Sequence, residues 1–240
     1  MGQSIVLALI SAAIFYDSSG PTMKDMQNLA GALFFMCVAT FMPGYMMTGL
    51  TFQTERPVFL REQANKMYDV LPYYCAKILA DIPTFFIIPV IFTAITYYAV
   101  GLTKDSTQFF MFCLTAIMNT VTGVSLGYMI SSVFTNAAMA LAVAPIIAMP
   151  LMLVGGFFQN QGERPIYIEI FSYVSPLQYA FNNHAKLEFE SNPEPVAQQM
   201  AELLDIQRDY WVGISYMAIE IAVTQVSAFI FLKLLVSKFQ

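Results

Sequence analysis

Apolar positions in this chain come in long runs rather than in alternation. Met26 to Thr54, Ile82 to Thr103 and Ser106 to Gly162 contain no Asp, Glu, Lys or Arg, and Tyr210 to Leu232 contains only Glu220. A bilayer core of about 30 Å needs about 20 apolar helical residues. The third run is long enough for two helices, with a turn signal at Ser131, Ser132, Thr135 and Asn136. The pattern predicts full crossings at roughly 29–52, 74–100, 107–131, 137–158 and 210–232. Residues 2–16 are also apolar but reach only about 22 Å at about 1.5 Å per residue. A signal peptide normally carries a basic start, and none precedes this segment. It reads as a first transmembrane helix that is short, tilted or cut at its start, with a cleaved segment as the alternative. A membrane barrel would need strict alternation over about 10 residues per strand, which stretches such as 143–150 lack. Prolines 43, 83, 89, 145 and 150 suit membrane helices, where neighbours satisfy the freed carbonyls. The fold class expected is all-α, a single polytopic membrane domain over 1–240 with six transmembrane helices.

Composition agrees: 58% of residues are hydrophobic and 11% charged, against about 25% charged in soluble domains. A net charge of −5 gives no basic footprint for nucleic acid. The few charges also orient the chain. The segments after the second, fourth and sixth crossings hold Arg56, Arg61, Lys66, Lys77, Lys233 and Lys238. The longer opposite segments hold Lys24, Lys104, Arg164, Lys186 and Arg208, together with most of the acids. Basic density on short loops places loop 53–73 and both chain ends in the cytoplasm. Segment 159–209 is then extracytoplasmic. Tyr167–Tyr173, Leu177–Phe189 and Glu202–Asp205 read as short helices there, with a break at Pro193 and Pro195. Cys37, Cys75 and Cys113 lie in or beside crossings, so no extracellular disulfide within the chain is expected.

Catalytic signatures are missing. No phosphate-binding Gly-x-x-x-x-Gly-Lys-Ser/Thr loop occurs. His184 has no His or Cys at metal-ligand spacing and reads as a surface residue. Gly123, Ser125 and Gly127 spell Gly-x-Ser-x-Gly, but inside a long apolar helix. There, small residues four apart mark close helix packing rather than a nucleophile elbow. No metal site is expected. Thr54-Glu55-Arg56-Pro57-Val58-Phe59-Leu60-Arg61-Glu62 follows the second crossing. Thr54 can cap a new helix with Pro57 in its first turn, and Glu62 and Lys66 at i, i+4 favour pairing. The segment reads either as a solvated interfacial helix or as a lever that docks on a soluble partner. Glu220 is an intramembrane acid, a functional candidate by default. Its expected partners are Asn119, Thr224 or Gln225, or else it is neutral and protonated.

Glu55-Arg56-x-x-Phe59-x-Arg61-Glu62, then Tyr68, Tyr73-Tyr74, Lys77 and Ala80-Asp81-Ile82-Pro83, resembles the membrane domain of white-type subfamily G ABC transporters. Gly155-Gly156-Phe157-Phe158-x-Asn160 and Ser172-Tyr173-x-Ser175-Pro176-x-x-Tyr179-Ala180 resemble the same family's fifth-span end and re-entrant outer region. Glu188-Phe189 matches its Asn-Glu-Phe in part, with Leu187 in the Asn position. The resemblance implies a six-helix ABC-2 type domain that works as a homo- or heterodimer with a second transmembrane domain. ATP and Mg would be bound by a missing or partner ATP-binding domain, with no cofactor and no catalysis in this chain. It further implies a coupling interface at Glu55, Arg56, Arg61 and Glu62. A cavity for lipophilic substrate is implied between Ala39 and Met42 of the second span and Pro145, Met149 and Met152 of the fifth, with Phe41 as an adjacent candidate. Phe157 and Phe158 would form a plug or gate above it. The implied function is ATP-driven export of a sterol, lipid or drug-like compound at the plasma membrane or an internal membrane. An ion-coupled secondary transporter using Glu220 and a non-transporting scaffold are the alternatives.

Overall fold

In a computed structural model, the described residues are all except 1, 19, 104, 135, 159–164, 193, 207, 208 and 238–240. The side chains of Ala137 and Tyr167 are likewise not described. Thr135, Lys104, Asn160, Arg164, Pro193, Arg208 and Lys238, used in the sequence reading, therefore lie outside the described set. Every described element is an α-helix: α1 (Gly2–Ile14), α2 (Met23–Ala64), α3 (Val70–Val100), α4 (Ser106–Val133), α5 (Ala137–Leu153), α6 (Ile166–Ser172), α7 (Pro176–Phe189), α8 (Pro195–Leu203) and α9 (Tyr210–Ser237). Four of these, α2, α3, α4 and α9, are long and apolar enough to cross a membrane, and α1 and α5 are shorter apolar helices.

Local chemistry sets the ends. Thr22 and Asp25 form a capping box at the start of α2, with Asp25 N donating to Thr22 Oγ1 at 3.3 Å and Thr22 N to Asp25 Oδ2 at 3.2 Å. This satisfies two otherwise free backbone donors. Gly101 ends α3 at φ 83°, a left-handed conformation that glycine adopts without strain. Asn136 caps α5, its Oδ1 accepting from Ala138 N at 2.9 Å.

The largest departure from the sequence pattern is at the end of the second crossing. Thr54 does not cap a new helix. α2 runs unbroken for 42 residues through Pro43 and Pro57, about 63 Å at about 1.5 Å per residue. The Thr54 hydroxyl instead donates back to Thr51 O at 2.8 Å. Pro195 does not break the outer segment but opens α8 at its first turn, where a missing N–H costs nothing. Leu204 and Asp205 lie just beyond that helix.

α4 is the hub. Its most extensive contacts are with α2 and then α9, and it also meets α3, α5 and α7. α2 and α4 approach closely because glycines leave room. A Cβ on Gly123 would sit 2.6 Å from Phe41 O, and one on Gly127 2.6 Å from Tyr45 O. Ser125 between them donates to Val121 O at 2.8 Å within the helix, so the Gly-x-Ser-x-Gly letters serve packing. Polar bonds follow the same seam. Asn119 Nδ2 donates to Cys37 O at 2.7 Å and to Thr40 Oγ1 at 2.9 Å, and Thr120 Oγ1 donates to Thr40 O at 3.1 Å.

Candidate functional site

The proposed substrate wall divides. Ala39 and Met42 on α2 and Pro145 and Met152 on α5 are half-buried, while Met149 is 63% exposed. The two helices pack together, and Tyr45 Oη donates to Ala144 O at 2.9 Å beside Pro145. Phe41 does not share this face. Its side chain is fully buried, stacked on Tyr45 with centroids 5.5 Å apart, and its ring lies against Gly123 of α4. A separate cavity of about 570 Å³ shares Ala39 with that wall and also reaches Thr120 of α4. It is walled by α1, α2 and α3, among them Ala39, Pro43, Met47, Phe85 and Phe92, with Lys77 and Asp81 at one end. Met42 and α5 are not part of its lining.

Phe157 and Phe158 belong to an aromatic cluster that the sequence signalled only in part. Phe34 of α2 stacks on Phe157 at 5.2 Å and meets Phe158 edge-on at 5.2 Å. Phe181 of α7 packs edge-on against both Phe34, at 5.9 Å, and Phe157, at 6.0 Å. Offset and edge-to-face pairs of this kind add about 0.5–1.5 kcal/mol each beyond their buried area. Phe34 and Phe181 carried no sequence signal beyond their apolarity.

At the opposite end of α2 the Glu55–Glu62 residues separate by role. Glu55 pairs with Lys77 of α3 at 2.7 Å, and Lys77 also approaches Asp81 at 3.8 Å. Tyr128 of α4 donates to Asp81 at 2.5 Å. Tyr74 bonds Gln225 of α9, whose Nε2 donates to Ser125 Oγ at 3.0 Å. Two groups of polar side chains thus tie four helices, Glu55–Lys77–Asp81–Tyr128 across α2, α3 and α4, and Tyr74–Gln225–Ser125 across α3, α9 and α4. Glu55, Tyr74, Lys77 and Asp81 stand out in the sequence as motif letters, while Tyr128 does not. Arg56 is buried, and its Nη1 donates to the carbonyls of Ser131 and Phe134. Arg61 is exposed. Glu62 does not pair with Lys66. α2 ends at Ala64, and Lys66 adopts φ 54°, so the i, i+4 geometry is lost. Glu62 accepts from Tyr68 Oη instead. Phe59 is buried and stacks on Tyr73 at 4.3 Å, which folds the short loop back onto the helix.

Two further expectations change. His184 is not a surface residue but fully buried, stacked on Phe112 at 4.6 Å. Its Nδ1 lies 3.3 Å from Cys37 Sγ and its Nε2 3.4 Å from Phe112 O. Burial lowers its pKa from 6.5 to about 4, so the ring is neutral near pH 7. Glu188 is buried beside it on α7 and accepts from Thr103 N and Thr103 Oγ1, both at 3.2 Å. Burial raises its pKa, against the opposing pull of those two bonds. The partners expected for Glu220 are engaged elsewhere. Asn119 bonds α2, Gln225 bonds Ser125, and Thr224 Oγ1 donates to the Glu220 backbone carbonyl at 2.7 Å. Among the described residues neither carboxylate oxygen of Glu220 has a hydrogen-bond partner. No cluster of metal-ligating side chains occurs among the described residues.

The model of the ABC-2 type transporter family matches residues 1–189. "Protein white" of Ceratitis capitata is 36% identical over 181 residues, covering 74% of this chain and 26% of that protein. "ABC transporter G family member 22" of Arabidopsis thaliana is 29% identical over 231 residues, 95% of this chain and 28% of that protein. "ABC transporter ATP-binding protein/permease wht-1" of Caenorhabditis elegans is 31% identical over 137 residues, 57% of this chain and 20% of that protein. The chain spans about a quarter of the length of the curated relatives it matches. Taken with its long apolar helices, these matches make it an integral multi-pass membrane protein. The chain belongs to the ABC-2 type transporter family, as a white-type subfamily G transmembrane domain.

Proposed function

We propose that this domain is the membrane half of an ATP-driven exporter of lipophilic compounds. ATP and Mg are bound by a separate ATP-binding domain, and a second transmembrane domain completes the path. α1 and α5 act as further crossings, which makes six. The end of α2 that carries Glu55–Glu62 lies in the cytoplasm. The 159–209 region lies outside. The observation that carries this reading is the continuity of α2. One unbroken helix joins Ala39 and Met42 to Arg61 and Glu62, so displacement at the motif reaches the candidate wall without an intervening loop. Substrate is held between the Ala39/Met42 and Pro145/Met149/Met152 faces of two such domains. Met is flexible and polarisable and adapts to irregular apolar ligands. The Phe157/Phe158 cluster then parts to release it. A relative whose name includes "ATP-binding protein/permease" supports the link to an ATP-binding domain.

The test is reconstitution with an ATP-binding domain in liposomes, following a fluorescent sterol, a labelled phospholipid and a drug-like dye. Export of at least one that requires ATP hydrolysis is expected. Transport driven by a proton or sodium gradient without ATP would instead establish the ion-coupled reading, for which the unpartnered Glu220 is the candidate carboxylate.

A further inference from the structure

The final turn of an α-helix leaves carbonyls without helical partners. At the end of α4 these are met by two side chains of α2. Gln53 Nε2 donates to Ser131 O at 2.7 Å and to Phe134 O at 2.6 Å. Arg56 Nη1 donates to Ser131 O at 3.3 Å and to Phe134 O. Ser131 Oγ returns a bond to Gly49 O at 3.0 Å. Gly49, Gln53 and Arg56 follow i, i+4, i+7 spacing, so one stripe of α2 grips one helix end. Gln53 is 6% and Arg56 4% exposed. A guanidinium is planar, permanently charged and weakly hydrated, which suits burial, and a cation complements the negative end of the α4 dipole.

Two neighbouring features give this grip a consequence. Only residues 134–136 separate α4 from α5, so Phe134 stands two residues before Asn136, the cap of α5. Pro57 directly follows Arg56 inside α2. Lacking an N–H, it leaves the Gln53 carbonyl without its helical bond and softens α2 at that point, as Pro43 does nearer the other end. Force entering at Arg61 and Glu62 would be absorbed as a bend at Pro57 unless α2 there is tied to something else.

We infer that Gln53 and Arg56 are positioning residues that make the α4–α5 turn, and with it the α5 face, follow the cytoplasmic end of α2. The inference rests on the reading that this domain is driven from that end. It places Arg56 inside the domain, away from any docked ATP-binding domain, and leaves Arg61 as the exposed cation of the motif.

The experiment uses the protein assembled with its ATP-binding domain in nanodiscs and liposomes. Spin labels are placed at Val58→Cys and Met139→Cys, which are 57% and 55% exposed. The background is Cys75→Ser, because Cys75 is exposed while Cys37 and Cys113 are buried. With Arg56 intact, the label distance is expected to be narrow and unchanged between the nucleotide-free and vanadate-trapped states. With Arg56→Met it is expected to broaden or shift on trapping, and export per ATP to fall about ten-fold. Arg56→Lys, a shorter-reaching and more strongly hydrated point charge, falls between. Gln53→Leu, which leaves the Arg56 bonds in place, gives the smaller loss and serves if Arg56→Met does not fold. An Arg56→Met protein with unchanged label distances and unchanged export per ATP overturns the inference. So does failure of Arg56→Met and Gln53→Leu to fold while Arg56→Lys matches the parent in every readout, since the pair would then be only a helix cap. If the parent protein exports nothing with ATP, the exporter reading falls, while the label distances still decide whether the turn follows α2.

Discussion

Adding one methyl group to Gly127 tests the α2–α4 seam on which the rest of the domain is built. A Cβ there would lie 2.6 Å from Tyr45 O, 3.3 Å from Gly49 N and 3.3 Å from Thr48 Cβ. The nearest atom is backbone, so no rotamer change relieves the overlap. Carbon–oxygen contacts between packed helices settle at about 3.3–3.6 Å, so the helices must part locally by about 0.7 Å. The same displacement would stretch the flanking Thr120–Thr40 and Ser131–Gly49 bonds, now 3.1 and 3.0 Å, beyond useful length. Overpacking costs about 1–3 kcal/mol, and each interhelical bond in a membrane about 0.6 kcal/mol. The opposing gain from replacing glycine by alanine inside a helix is about 1 kcal/mol. The balance is a loss of about 1–3 kcal/mol.

Gly49→Ala is the control. The nearest atom to its added Cβ is Gly127 O at 4.0 Å, so it keeps the propensity gain and is expected to be neutral or stabilising by up to about 1 kcal/mol. Reversible unfolding of the purified protein in mixed micelles, titrated with SDS and read by helicity, measures both. Gly127→Ala as stable as the parent, or more stable, would refute the close approach. Gly123→Ala, whose Cβ would meet Phe41 O at 2.6 Å, is expected to behave like Gly127→Ala.

The other expectations concern charge. Glu220→Met removes a carboxyl whose two oxygens have no partner among the described residues, and should raise unfolding stability by about 1–3 kcal/mol; a lower stability would reveal a compensating contact. His184 has its folded pKa depressed from 6.5 to about 4, so its contribution is present above pH 6.5 and is lost as pH falls toward 4. Melting temperature measured across that window should drop less steeply in His184→Asn than in the parent. Glu188 has its pKa raised above 4.5, which reverses the sign. Its ionisation weakens the fold as pH rises through that shifted value, so Glu188→Gln should gain stability relative to the parent between acid and neutral pH. Arg61→Ala or Glu62→Gln should lower export per ATP hydrolysed in reconstituted vesicles, and unchanged coupling would remove both from the interface.

The apolar runs located the helices well because a charge inside a bilayer is so costly that its absence is a strong signal. Helix ends within polar sequence were harder to place. Thr54 follows a long uncharged run and precedes Glu-Arg-Pro, a reasonable capping pattern, yet the helix continues because nothing in 50–57 competes with it strongly enough. Proline at 57 removes one bond from the ladder, and packing of Phe52 and Phe59 on the same face holds the rest. α7 misled for the opposite reason. Its Asn182, Asn183, His184, Lys186 and Glu188 have the composition of a surface helix, but every residue except Lys186 is buried. Helices α2, α4 and α9 all pack against it, and single-sequence polarity carries no trace of such neighbours. For the candidate site, Phe157, Phe158, Glu55 and Glu62 were visible as motif letters. The side chains that complete their surroundings, Phe34, Phe181, Tyr128 and Gln225, lie in other helices with no local pattern to mark them.

The two ends of the domain differ in the balance of forces that hold them, although the Phe157 end keeps polar ties of its own, Ser175 Oγ to Leu151 O at 2.8 Å and Thr103 to Glu188 at 3.2 Å. The end that carries Glu55 is joined by directional bonds between charged and polar groups: Glu55–Lys77, Tyr128–Asp81, Gln225–Ser125 and the Gln53 and Arg56 grip on α4. Where such bonds are buried, as for Gln53 and Arg56, they are stiff, because leaving one partner bare is expensive. The end that carries Phe157 is closed by aromatic faces and edges from α2, α7 and the turn after α5. Aromatic pairs accept offset-stacked or edge-to-face arrangements over a range of centroid distances, so these rings can slide and re-pair at less cost than baring a buried polar group. A displacement imposed at Arg61 and Glu62 would therefore be carried by the polar end as a body. It would be taken up by rearrangement among Phe34, Phe157, Phe158 and Phe181, which is the mechanical division an exporter that opens at the far side of the membrane requires.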